Sequence, residues 1–123
     1  MKASETGARG EAAVCRYLEQ QGYTILARNY RIPGGELDAV AYRGAELCFV
    51  EVKTRRPGSL ADGMASVSLR KRRLLIRAAQ EFCMREEMNP DNWFIRFDVA
   101  AVEMQGGCVF SIYYLENAFT ADS

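Results

Sequence analysis

The stretch Gly34-Gly-Glu-Leu-Asp-Ala-Val-Ala-Tyr-Arg-Gly-Ala-Glu-Leu-Cys-Phe-Val-Glu-Val-Lys-Thr-Arg-Arg56 decides the fold. It reads as a hairpin of two largely apolar strands, Glu36 to Arg43 and Glu46 to Thr54. Between them lies Gly44-Ala45, with glycine where a type II′ turn needs it. In a hairpin closed this way Tyr42 faces Leu47, Val40 faces Phe49, Asp38 faces Glu51 and Glu36 faces Lys53. Alternation along each strand then predicts that all of these side chains share one face, with the charges gathered away from the turn.

Opposed carboxylates on neighbouring strands have Cβ atoms about 5 Å apart and destabilise a sheet. At an effective dielectric near 20, their repulsion is of the order of 3 kcal/mol. A divalent cation bridged by Asp38 and Glu51 would offset it, since hard ions such as Mg²⁺ take one or two carboxylates together with water and phosphate oxygens. Lys53 points to the same place and can hold a phosphate or an attacking water. Glu36 has two readings, a salt bridge to Lys53 or a further acid in the cluster.

The chain of 123 residues fits one domain, residues 1–123, with the apolar and charged fractions of an ordinary globular protein. No apolar run is long enough to span a bilayer and the N-terminus has no signal-like apolar core, so cytoplasmic residence without membrane attachment is expected. Cys15, Cys48, Cys83 and Cys108 form no Cys-x-x-Cys pair and each falls in an expected regular element, which reads as reduced core thiols. There is no histidine. That excludes Ser-His and Cys-His catalysis and makes a zinc site a poor reading, leaving carboxylates, lysine, tyrosine or a hard metal for any chemistry.

Net charge is zero, yet Lys53, Arg55, Arg56, Arg70, Lys71, Arg72 and Arg73 lie in one segment with Asp62 as its only acid. A concentrated basic segment beside paired carboxylates points to an anionic polymer as substrate.

The flanking chain completes an α/β pattern. Residues from about Thr6 to Gln21 read as a helix, capped near Ser4 or Thr6 and stopped by Gly22. Its apolar stripe is Ala8, Val14, Cys15 and Leu18, and Glu11 falls inside it. Glu11 is then either turned to the sheet or a first-turn acid favoured by the helix dipole. Tyr23 to Arg31 reads as the first strand, and Ile32-Pro-Gly-Gly35 as the turn into the hairpin. A loop follows from Arg55 to Gly63. A second helix runs from about Ser68 to Glu87, with Ser66 or Ser68 as N-cap and Leu75, Ala78, Ala79 and Phe82 buried. Trp93 to Glu103 and Cys108 to Tyr114 supply the last strands, the first of them parallel to the hairpin after a helical crossover.

Gly35-Glu-Leu-Asp38 followed by Phe49-Val-Glu-Val-Lys53-Thr-Arg55 resembles the PD-(D/E)xK nuclease core. More closely, the chain resembles the YraN-like (UPF0102) family, similar to Holliday-junction resolvases. The likeness covers nearly the full length, including Gly10-Glu-Ala-Ala13, Gly22-Tyr23, Asn29-Tyr-Arg31, the Lys71 region, Arg96-Phe-Asp-Val99 and Asn117-Ala-Phe119. The resemblance implies a restriction-endonuclease-like core with a mixed five-stranded sheet flanked by helices. It implies that Asp38, Glu51, Glu11 and the Val52 carbonyl hold Mg²⁺ or Mn²⁺, that Lys53 is the catalytic lysine, and that the substrate is branched or structured DNA. Resolvase-like relatives further imply a homodimer.

Competing readings stand beside these. Asp38, Glu51 and Lys53 could be a surface ion network, although Val40, Tyr42, Leu47 and Phe49 make that face apolar. The run Arg70 to Arg73 could be a solvated helix start, but cations are disfavoured at a helix N-terminus, which leans towards phosphate contacts. Arg55 and Arg56 stand nearer the site. Arg96 and Asp98 read as a structural ion pair. The rival to a nuclease is a non-catalytic nucleic-acid-binding protein that keeps the fold.

Overall fold

The computed structural model describes residues 3–55 and 67–121. Helix α1 spans Ala3–Gln20, followed by β1 (Thr24–Ile32), β2 (Gly35–Arg43), β3 (Glu46–Arg55), α2 (Leu69–Arg85), a 3₁₀ turn (Pro90–Asn92), β4 (Phe94–Gln105) and β5 (Cys108–Phe119). The strands form one five-stranded sheet in sequence order, antiparallel except for the parallel β3–β4 pair. This is the mixed, restriction-endonuclease-like core expected from the sequence. Most of the expected loop between β3 and α2, with Arg56 and Ser66, lies outside the described residues.

Each face of the sheet carries one core. On one side Val14, Cys15 and Leu18 of α1 pack with Ala39, Ala41, Cys48, Val50, Ala100 and Val102. On the other, Leu75, Ala78, Ala79, Phe82 and Cys83 of α2 pack with Val40, Leu47, Phe49, Phe97 and Val99. Every residue of β4 from Arg96 to Met104 is buried, because helices and neighbouring strands cover it on all sides. Among the described residues no helix is long and apolar enough to cross a membrane.

The turns follow their chemistry. Pro33-Gly34 joins β1 to β2, with Ile32 opposite Gly35 and Gly34 at φ +83°, as a type II turn requires after proline. At Gly44 φ is +59° while Ala45 is not in the left-handed region, which fits the II′ hairpin. Ser68 caps α2, its hydroxyl accepting from the Lys71 N–H at 3.1 Å.

Four expectations are corrected. Helix α1 spans Ala3–Gln20, so Ser4 and Thr6 fall within it and not before its first turn. Ala8 is exposed and Gly10 is buried, because α1 packs closely against β3 at Gly10. A Cβ on Gly10 would lie 2.7 Å from Thr54 Oγ1, so glycine sets how near α1 comes to β3. Cys108 is exposed, at the start of an edge strand, while Cys15, Cys48 and Cys83 are buried free thiols.

The fourth correction concerns the hairpin, and it makes the site. The expected register holds from Arg43↔Glu46 through Val40↔Phe49 to Ala39↔Val50, and the ladder ends there. Beyond that point β2 stays paired with β1 as far as Gly35, and β3 stays paired with β4 as far as Arg55. The two strands part, forming a fork. Leu37, which strict alternation would place with Ala39, instead joins Val40, Leu47 and Phe49 in the core under α2. Burying Leu37 there breaks the alternation, so the direct opposition of Asp38 to Glu51 and of Glu36 to Lys53 is lost.

Candidate active site

At the fork the Asp38 carboxylate takes over from the missing ladder. The Val52 N–H donates to Asp38 Oδ2 at 2.8 Å, tying the two diverging strands together. One carboxylate oxygen each from Glu11 of α1 and Glu36 and Asp38 of β2 lie within 4.8 Å of one another. Glu11 reaches this place because it continues the stripe of Val14, Cys15 and Leu18, and because Gly10 lets that turn of α1 sit against Thr54.

Glu51 stands on the other side of the fork. Its carboxylate meets Lys71 Nζ of α2 at 3.6 Å, and it is not part of the trio. Burial, then the nearby charge of Asp38, pushes the Glu51 carboxyl up to about 7, against the pull of Lys71 and Lys53. Burial also raises Asp38, opposed by the Val52 hydrogen bond. Burial and then the Asp38 charge raise Glu11, and a hydrogen bond from Asn29 opposes them. Lys53 is lowered, first by burial and then by Arg55 beside it. The site is thus a partly dehydrated acidic cluster whose own cations do not offset its crowding. A donor set made of carboxylate oxygens suits a hard cation such as Mg²⁺ or Mn²⁺.

The expected nucleic-acid contacts divide. Lys71 is paired with Glu51. Arg72 donates Nε to the Val67 carbonyl at 3.0 Å and lies 5.6 Å over the Phe119 ring, so it serves packing. Arg55 Nη1 bonds the Thr54 carbonyl at 3.0 Å, next to the site. Arg70 and Arg73 are exposed on the first turns of α2, and Arg56 lies outside the described residues.

Two contributors escaped the sequence reading. Asn29 holds Glu11 from a left-handed backbone conformation, φ +50°, which asparagine tolerates better than most residues. Gly10 is the other, since a glycine inside a helix is a signal of close approach. At the turn end, Arg96 and Asp98 form the expected structural pair within a larger network. Asp98 accepts from Arg96 Nε and Nη2 at 2.9 Å, from Tyr114 at 2.5 Å and from the Asn117 N–H at 2.8 Å. Arg96 also reaches Glu46 at 2.8 Å and Tyr23 at 2.5 Å.

A mixed sheet flanked by helices, forked beside an acidic cluster with an adjacent lysine, defines the class as an α/β protein with a restriction-endonuclease-like core. The chain belongs to the family described as "Uncharacterised protein family UPF0102", whose family model matches residues 10–102. It is 45% identical to a UPF0102 protein of Synechococcus sp. (strain JA-3-3Ab), covering 93% of this chain and 89% of that one. It is likewise 45% identical to UPF0102 protein tll1737 of Thermosynechococcus vestitus, covering 95% of each. A UPF0102 protein of Pelobacter propionicus is 43% identical over 93% of this chain and 81% of its own.

Proposed function

We propose that this protein is a divalent-metal-dependent endonuclease hydrolysing phosphodiester bonds in branched or structured DNA. The observation that carries the reading is the convergence of Glu11, Glu36 and Asp38 at the fork, with Lys53 and Glu51 on the adjoining strand. Glu11, Glu36 and Asp38 would hold Mg²⁺ or Mn²⁺, with Glu51 and the Val52 carbonyl completing the wall from β3. The bound cation would supply Lewis acidity to a phosphate oxygen and a water of lowered pKa.

The chain's own groups do the rest. Lys53 donates to a phosphate oxygen, stabilising charge that develops there, or fixes the attacking water. Lys71 keeps Glu51 in place. Arg55 and the exposed Arg70 and Arg73 supply positive charge along the DNA backbone. Preference for branched DNA and a homodimeric assembly follow from the likeness to resolvases, in which two symmetric incisions call for two sites. Buried unpaired thiols fit residence in the cytoplasm.

The test is incubation of purified protein with linear, flapped and four-way DNA in Mg²⁺ or Mn²⁺, beside Asp38→Asn and Lys53→Ala. Cleavage of at least one structured substrate, lost in both variants, is expected. Tight DNA binding with no cleavage of any substrate would overturn the nuclease and leave a non-catalytic nucleic-acid-binding protein.

A further inference from the structure

A cavity of about 400 Å³ lies between the β1–β2 turn and α2, bordered by Arg31, Gly34, Gly35, Glu36, Lys71 and Leu75. It touches both halves of the candidate site, because Glu36 belongs to the carboxylate trio and Lys71 is the partner of Glu51. Its glycine border presents bare backbone. At Gly34 even an added Cβ would meet nothing, so a bulky ligand can approach closely.

Arg31 sits directly across the β1–β2 ladder from Glu36. It is exposed, and its side chain makes no hydrogen bond or ion pair with any described residue. The other cation on the cavity, Lys71, is engaged with Glu51. A guanidinium carries its donors in a planar fork that matches two phosphate oxygens, which an ammonium does not.

We infer that Arg31 grips a backbone phosphate of the bound nucleic acid in this cavity, next to the one held at the carboxylate trio. The inference takes its class of ligand from the proposed function. It gives the substrate a direction, across the β1–β2 turn towards α2, and it shifts the principal phosphate contact from the basic run of α2 to β1.

The experiment is a salt titration of binding to fluorescently labelled four-way DNA, with Ca²⁺ replacing Mg²⁺ to suppress cleavage. It compares wild type with Arg31→Ala, Arg31→Lys and, on the exposed side of α1, Arg16→Ala. Arg31→Ala should weaken binding about tenfold at low salt and reduce the slope of log affinity against log salt by about 1. Arg31→Lys should restore the slope but not the full affinity, and Arg16→Ala should match wild type. An unchanged slope in Arg31→Ala, an equal loss in Arg16→Ala, or no binding by wild type would overturn the inference. Cleavage assays on the same variants separate this outcome from the parent reading. Cleavage that Asp38→Asn abolishes, with an Arg31→Ala slope like wild type, leaves the nuclease and removes the Arg31 contact. A lowered slope in a protein that cuts nothing keeps the contact and removes the nuclease.

Discussion

The backbone N–H of Val52 donates to the side chain of Asp38 at 2.8 Å, where the β2–β3 ladder has just ended at Ala39↔Val50. One carboxylate therefore both closes the fork and faces the acidic cluster. These duties separate by substitution. Asp38→Asn keeps an acceptor for Val52, whereas Asp38→Ala strands a half-buried N–H. Chemical denaturation should find Asp38→Ala less stable than Asp38→Asn by about 1–3 kcal/mol. Equal stabilities would mean that the bond does not hold the strands together.

Glu51 gives a pH signature to the metal-free protein. Its carboxyl is raised from the ordinary 4.5 to about 7 on folding. Between those values the folded state binds more protons than the unfolded state, so stability falls as pH rises through that window. Glu51→Gln removes the titration. The variant should match wild type below about pH 4.5 and exceed it increasingly up to pH 7, by at most about 3 kcal/mol. Thermal melts from pH 4 to 8 would reveal it, and a wild type more stable than Glu51→Gln at pH 8 would contradict the assigned crowding.

Gly10 should behave against helix propensity. Alanine there ought to gain about 1 kcal/mol, yet its Cβ would lie 2.7 Å from Thr54 Oγ1. A net loss of about 1–3 kcal/mol is expected from the overpacking, with much of it recovered in Gly10→Ala/Thr54→Ala. A double-mutant cycle with no coupling would place the close approach elsewhere.

The Arg96–Asp98 network should be structural alone. The Asp98 side chain is fully buried and accepts from Arg96, Tyr114 and Asn117. Asp98→Ala leaves the Arg96 charge buried with fewer partners and should cost about 3–5 kcal/mol. Tyr114→Phe should cost about 1.5–3 kcal/mol, the usual net worth of a hydrogen bond to a charged group.

Much of this fold was legible because local chemistry and pattern agree. Gly44-Ala45 set the hairpin register, Ser68 marked the start of α2, and the spacing of Leu75, Ala78, Ala79 and Phe82 marked its buried face. The fork was not legible. It arises because β2 follows β1 and β3 follows β4, a choice made between strands far apart in the chain. With it came the exchange of partners at the site. Glu36, read as ambiguous, lies in the carboxylate trio, while Glu51, expected opposite Asp38, pairs with Lys71. The basic run likewise read as one unit, but helix geometry turned Lys71 to the site and Arg72 to Phe119.

Calorimetric titration of the metal-free protein with Mn²⁺, for wild type, Glu11→Gln and Asp38→Asn, tests the cation site itself. Saturable binding is expected in wild type, falling at least tenfold in each variant while the far-ultraviolet circular dichroism stays unchanged. Equal Mn²⁺ affinity in all three proteins, or none in wild type, would contradict a cation held by Glu11, Glu36 and Asp38.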